Sequence, residues 1–132
     1  MTKYESADLI LKLYDLRRES KLREARDWWN KFKPKSIEDV KTAAFGPDSG
    51  KFRMVLGYWE MAAALVNNDA IEAKMFFETT GEYLFMYVKL QPYLKEIRAQ
   101  DSTMLVQVEK LLKKMDDSEK RLEHIRSIIA KM

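Results

Sequence analysis

Few side chains in this 132-residue sequence are of a type that could carry chemistry. The one histidine, His124, lies in a charged stretch, and Arg121 stands where the Glu-x-x-His motif of a di-iron bundle needs a glutamate. The sequence contains no cysteine, which excludes thiolate metal sites, iron–sulfur clusters, disulfide scaffolds and thiol nucleophiles. We therefore predict neither a metal nor a cofactor.

Three glutamates, Glu60, Glu78 and Glu82, are the candidates for acid–base catalysis, which requires carboxylates in contrasting environments. Glu78 and Glu82 have the spacing of an exposed pair one helical turn apart, and Glu60 is more simply interpreted as a structural ion-pair partner. The glycine- and proline-containing segment 46–50 lacks the spacing of a phosphate-binding loop. We predict that the protein is not an enzyme and has no catalytic residues.

The periodicity of the chain is helical throughout. Apolar residues recur every three or four positions, and no alternating strand pattern occurs between turn residues. We predict an all-α, elongated bundle of four to five helices with long first and last helices. An interruption is expected at residues 79–81 and a kink at Pro92. The predicted helices begin at residue 6, 36, 50, 69 and 103, and the first, second, third and fifth end near residue 33, 45, 67 and 131.

The length fits one domain over residues 1–132, with a core at about 22–100 and a long C-terminal helix at about 103–131. The longest stretch without charge, residues 61–68, is too short to cross a bilayer. The first residues also lack the apolar segment of a secretory signal. We therefore expect a cytoplasmic protein with no membrane partner.

The first and last helices carry apolar residues that a small core has no room for. The last helix has a heptad seam over about four heptads, and the N-terminal half of the first helix is out of phase with its tryptophan-bearing half. Such surfaces favour a partner. We predict a protein–protein interaction or assembly module that forms a homodimer or another homo-oligomer. The candidate interface residues are Leu9, Leu13, Leu16, Met115, Leu122, Ile125 and Ile129.

Two alternatives stay open. Residues 12–35 contain nine basic residues against four acidic ones, a pattern that would suit nucleic acid, with Arg17, Arg18, Lys21 and Arg23 as candidate contacts. Residues 75–93 are rich in aromatic side chains and methionine, which could line the pocket of a small-ligand sensor.

Three short motifs stand out along the chain. They are Arg26-Asp27-Trp28-Trp29, Leu56-Gly57-Tyr58-Trp59-Glu60 and Tyr93-Leu94-Lys95-Glu96-Ile97-Arg98. In this order they resemble the motifs of an uncharacterised family of small bacterial all-helical domains of unknown function. The resemblance covers about residues 15–100, and it implies a helical fold without an assigned activity. It also suggests that Glu60 pairs with Arg26 or Arg98 across the bundle.

Overall fold

The computed structural model describes residues 2–132, and this part of the chain is all-α. Nine α-helices and one short 3-10 helix (Gln91–Tyr93) account for its secondary structure. The helices are α1 (Lys3–Leu16), α2 (Ser20–Lys31), α3 (Ile37–Phe45), α4 (Ser49–Asn67), α5 (Ala73–Thr79), α6 (Glu82–Leu90), α7 (Leu94–Gln100), α8 (Val106–Lys113) and α9 (Ser118–Ala130). The all-α prediction is confirmed, whereas the predicted count of four to five helices is wrong.

The predicted long first helix is two helices, α1 and α2. The chain leaves helical geometry after Leu16, and the side chain of Glu19 caps α2 by accepting hydrogen bonds from the amides of Lys21 and Leu22. The break lies where the apolar pattern changes phase, because one straight helix cannot turn both halves toward the same core. Each half therefore buries its own apolar residues.

Helix α4, which corresponds to the helix predicted over residues 50–67, is the centre of the molecule. It contributes eight buried residues, with Phe52, Val55, Trp59 and Val66 almost fully covered. Helix α2 packs on one side of α4, α3 beside it, and α8 on another side. Its end is formed by Asp69, whose left-handed backbone (φ 63°) lets the amides of Asp69 and Ala70 bond the carbonyls of Val66 and Leu65.

The prediction of one long last helix is also wrong. Helix α8 ends at Lys113, and α9 starts at Ser118 after a turn that contains Met115 and Asp117. The turn sends α9 back against α6, whereas α8 packs on α4. The heptad seam is thereby shared between two short helices that face different parts of one core, and no 29-residue helix projects from it.

The fourth predicted helix is interrupted where the sequence indicates. Helix α5 ends at Thr79, α6 begins at Glu82, and Pro92 lies in the 3-10 helix before α7. One continuous hydrophobic core joins all these elements and extends from Leu13 to Ile125. Over residues 2–132, no helix is long and apolar enough to span a bilayer.

Candidate functional site

The polar centre of the fold is an ion-pair cluster of Arg17, Arg26 and Glu82. Arg26 Nη2 lies 2.7 Å from Glu82 Oε2 and Arg17 Nη2 lies 3.0 Å from the same oxygen, while Arg26 Nε bonds both carboxylate oxygens at 3.0 Å. All three side chains are about three-quarters or more covered. Arg26 also donates to the carbonyl of Arg17, so the cluster joins the end of α1 to α2 and α6.

Charge and burial oppose each other at Glu82. Burial raises the pKa of this carboxyl, but the hydrogen bond and charge of Arg26, followed by those of Arg17, outweigh burial and leave the pKa below its ordinary value. The same carboxylate raises the pKa of the Arg26 guanidinium. Beside them, Tyr58 donates to the carbonyl of Leu13, and burial raises the pKa of its phenol to about 12. The cluster is thus a fixed, charged anchor for α1.

Glu60 does not contact Arg26 or Arg98, so the predicted ion pairs are wrong. Its carboxylate accepts hydrogen bonds from the backbone amides of Gln107 (3.1 Å) and Val108 (2.9 Å) in the first turn of α8. Those amides have no partner within α8, and Leu105, which precedes the helix, has no side-chain oxygen to cap them. Glu60 supplies the negative charge that a helix N-terminus favours.

Arg98 is paired instead within the C-terminal half of the chain. Its Nη1 lies 3.1 Å from Glu109 Oε2, and its Nε donates to the carbonyl of Met104 at 3.0 Å. Tyr87 donates to the same oxygen of Glu109 at 3.1 Å, and burial, followed by the charge of Glu109, raises the pKa of its phenol to about 12. The Arg98–Glu109 pair therefore joins α7 to α8.

Lys89 is a buried cation that the sequence analysis did not identify. It is 8% exposed, and its ammonium donates to the carbonyl of Trp29 at 2.6 Å, in the last turn of α2. Burial, with a smaller contribution from Lys33, lowers the pKa of Lys89 to about 8. The negative end of the α2 dipole, at the C-terminus of that helix, stabilises a cation at this place.

A groove of about 1030 Å³ runs over α4 between α3 and the segment that links α7 to α8. Its walls are mostly apolar, and Phe45 (77% exposed) and Val106 (37%) lie open within it. Gly57 is part of its floor, where a Cβ atom would meet nothing within 4 Å. Four exposed charged residues also line the groove, namely Lys41 and Arg53 from α3 and α4, and Glu96 and Asp101 from α7 and the link.

A second apolar surface lies on the outside of α1. Tyr4, Leu11 and Tyr14 are 87%, 66% and 59% exposed, and their spacing of seven and three positions places them on one side of the helix. We call these three residues the α1 outer face. Exposed single apolar side chains are ordinary, but three on one side of a 14-residue helix mark a candidate interaction surface.

Most of the candidate interface residues are core residues. Leu13, Met115, Leu122 and Ile125 are buried, and Leu9 and Ile129 are half-buried against the core. Only Leu16, at 52%, is largely exposed. The seam of the last helix is therefore covered within one chain, because the turn after Lys113 folds α9 onto α6.

The other two candidate surfaces, the basic residues of 12–35 and the aromatic run of 75–93, differ in exposure. Arg17 is bound to Glu82, whereas Arg18, Lys21 and Arg23 are exposed, so nucleic-acid binding there stays a prediction. The aromatic run at residues 75–93 mainly fills the core, with Phe76, Tyr83, Met86 and Tyr87 buried.

Glu82, the acid at the centre of the ion-pair cluster, was interpreted from sequence as one of an exposed pair. The turn at residues 79–81 argues against an exposed pair, because it places Glu82 at the start of a new helix.

The comparisons with known proteins give one match. A family model described as a domain of unknown function, DUF4760, matches residues 4–115, and α9 lies beyond the matched segment. No curated protein and no solved structure matches the chain. The match covers most of the chain and includes all three motifs that indicate an uncharacterised family. The chain therefore belongs to the DUF4760 family of domains of unknown function.

Proposed function

We propose that this domain is a non-enzymatic interaction module that binds further copies of itself, the α1 outer face of one copy docking in the groove of another. The observation that carries the proposal is the exposure of Tyr4, Leu11 and Tyr14 along one side of α1. Exposed apolar side chains grouped on one side of a helix are typical of an interaction site, and tyrosine is enriched in interfaces. The groove offers the complementary shape, since it is concave, apolar and wide open at Gly57.

Charge would set the orientation of this pairing. Asp8 and Asp15 stand four positions after Tyr4 and Leu11, so both acids lie along one edge of the α1 outer face. Their side chains are 64% and 79% exposed, and each forms a surface ion pair within α1 or at its end, with Lys12 and Arg18. The groove presents Lys41 and Arg53 along its α3–α4 side, whereas Glu96 and Asp101 lie on the side of α7 and the link. Complementary charges of this kind fix the orientation of a docked helix more than they add affinity.

The two surfaces lie on different sides of one chain, which determines the geometry of the assembly. Gly57 opens into the groove, whereas Trp59, about 200° further around α4, faces the end of α1, where Arg17 lies over its ring. A copy therefore cannot dock α1 in its own groove, and contact between copies is head to tail. The chain exposes 8209 Å², against about 7,250 Å² for a compact protein of its mass, which accords with an elongated shape.

Sedimentation velocity over about 10–300 µM tests the association. We expect a mass that rises with concentration, because the α1 outer face is smaller than the ~800 Å² per partner of a stable interface. Tyr4→Glu should weaken association at least tenfold, and a glutamate in the first turn of α1 is compatible with the helix. Met61→Glu is the matched control, because Met61 is 45% exposed and lines neither surface. A strict monomer throughout, or equal loss in both variants, overturns the proposal.

A mixing experiment tests which surfaces meet. Gly57→Trp fills the groove but leaves the α1 outer face, whereas Tyr4→Glu removes the face but leaves the groove. Each variant alone should be monomeric, and a mixture should form a 1:1 dimer through the one remaining pair of surfaces. Gly57→Ala is the control for changing the glycine without filling the groove. If Gly57→Trp self-associates like the unmodified protein, the groove is not the docking site.

A further inference from the structure

An open pocket between α6 and α9 shares no residue with the groove or with the α1 outer face. It has a volume of about 340 Å³. Leu84 and Phe85 from α6 and Ile125 from α9 form its apolar part. Three basic side chains of α9, at positions 120, 121 and 124, line the same pocket. The pocket therefore combines an apolar surface with basic groups that come from one helix.

Arg121 is the central basic group, because it is half-buried and still accessible to a ligand. Its Nη1 donates to the sulfur of Met115 at 3.5 Å, and a thioether is a weak acceptor. Its Nε and Nη2 make no hydrogen bond within residues 2–132, and they are not cut off from solvent. Lys120 and His124, which line the pocket with it, are exposed. All three side chains can therefore reach a molecule in the pocket.

The chain supplies too few acids for these cations. The two glutamates of α9 both pair with Arg126, and neither Lys120 nor Arg121 forms an ion pair within the described part of the chain. Among the described residues, Asp117 is the one acid that lines the pocket, so Lys120 and Arg121 leave one positive charge in excess. A partly covered cation without a carboxylate partner favours a bound anion.

We propose that this pocket binds a small aromatic carboxylate, with its carboxylate at Arg121 and Lys120 and its ring against Phe85. A guanidinium binds a carboxylate through two parallel hydrogen bonds, and aromatic rings pair favourably with one another. The volume leaves room for a ring beside the carboxylate, since a water molecule takes about 30 Å³ of liquid volume. The single excess charge, with Asp117 nearby, favours a monoanion over a phosphate dianion.

Such a ligand would also hold α9 on α6, because its carboxylate contacts one helix and its ring contacts the other. The basic side of the pocket belongs to α9, which begins at Ser118, whereas the family match ends at residue 115. Half of the site thus lies outside the segment that the family model covers. Ligand binding is thereby coupled to the docking of the last helix.

Calorimetry and amide nuclear magnetic resonance, with benzoate as the probe, test the proposal. We expect saturable shifts of the amides of residues 81–85 and 117–125, with a Kd of about 1 mM for a ligand of this size. Benzamide, which keeps the ring and lacks the charge, should bind at least tenfold more weakly. Acetate, which keeps the charge and lacks the ring, should also bind at least tenfold more weakly. Equal shifts with benzamide, with acetate or with inorganic phosphate at the same ionic strength overturn the proposal.

Two variants test the basic groups. Arg121→Gln should weaken benzoate binding at least tenfold, and Lys120→Gln, at an exposed position, should weaken it at least threefold. Lys113→Gln is the matched control, because Lys113 is exposed in the last turn of α8 and does not line the pocket.

The absence of a saturable shift up to about 20 mM benzoate, well above the expected Kd, overturns the proposal. Unchanged affinity in Lys120→Gln, or an equal loss in Lys113→Gln, overturns it as well. Every titration is repeated on the Tyr4→Glu protein, so that the outcome does not depend on self-association.

Discussion

Arg26 and Glu82 form a bidentate ion pair although 56 positions separate them in the chain. The Nε and Nη2 atoms of the guanidinium lie 3.0 and 2.7 Å from the same carboxylate oxygen, and Nε also reaches the second oxygen. Arg17 adds a third donor group at 3.0 Å. One acid thus holds the end of α1 and the side of α2 on the N-terminus of α6, where its charge also favours the helix dipole.

Glu82→Gln should lower the free energy of unfolding by about 2–3 kcal/mol. The change leaves two arginines without a counter-charge, and removing one partner of a buried pair costs about 3–5 kcal/mol, less here because the side chains are a quarter exposed. Urea unfolding measures the effect. Glu78→Gln is the control, since Glu78 is exposed in the last turn of α5 and its removal should change stability by less than about 0.5 kcal/mol.

The stability of the protein should fall in acid through Glu82. Its folded-state pKa lies below the ordinary value of 4.5, so the folded state binds the proton less readily than the unfolded state does. The contribution of the pair is complete above pH 4.5 and is lost as the pH falls through the folded-state pKa. Unfolding curves of the Glu82→Gln variant at the same pH values should lack this component. Equal acid dependence in both proteins contradicts the assignment.

The sequence predicts local structure well and distant pairing poorly, and Arg26 shows why. The N-cap of α3 at Ser36, the extent of α4 and the interruption near Thr79 all follow from capping, periodicity and glycine placement, which act over a few residues. The partner of Arg26 depends on how α6 docks against α2. Periodicity alone does not distinguish Glu60 from Glu82 as that partner.

The predictions of two long helices are wrong for a related reason, which the last helix illustrates. A heptad pattern over residues 108–132 is satisfied by one long helix with a partner or by two short helices around one core. The turn is signalled by Asp117 and Ser118 with Glu119 behind them, a pattern typical of a helix start, but the regular apolar spacing masks it. The choice between these solutions depends on whether α6 leaves a surface for α9, which is a property of the whole fold.

Glu60→Ala should lower the free energy of unfolding by about 1–2 kcal/mol, the usual cost of removing a helix cap. Glu60→Gln should cost less, because its one amide oxygen still accepts a hydrogen bond from the amide of Gln107 or Val108. Amide hydrogen exchange in the first turn of α8 should quicken in the alanine variant before exchange elsewhere does. Uniform quickening over the whole chain would instead point to a different role for Glu60.

Lys89 should make the protein more stable as the pH rises from about 8 to 9.5. The folded-state pKa is about 8 and the ordinary value is 10.5, so over this range the unfolded state binds more protons and stability increases. The gain is roughly 1–2 kcal/mol from a pKa difference of this size. Above about pH 10 the buried phenols of Tyr58, Tyr83 and Tyr87 reverse the trend, because burial raises each pKa to about 12. Lys89→Met should remove the rise between pH 8 and 9.5, whereas parallel curves would contradict it.

Gly57→Ala should raise the free energy of unfolding by about 1 kcal/mol. Gly57 lies in the middle of α4 with no positive φ, and an added Cβ would meet nothing within 4 Å, so the helix gains propensity without a clash. A glycine that weakens the central helix of the fold fits a position on the floor of a docking groove. Because one methyl group does not fill the groove, the same variant should associate as tightly as the unmodified protein, although its monomer is more stable. Thermal unfolding at low concentration measures the first effect and sedimentation measures the second. A loss of stability in the dilute monomer would mean that Gly57 is required by the fold itself, and it would then give no support to the groove.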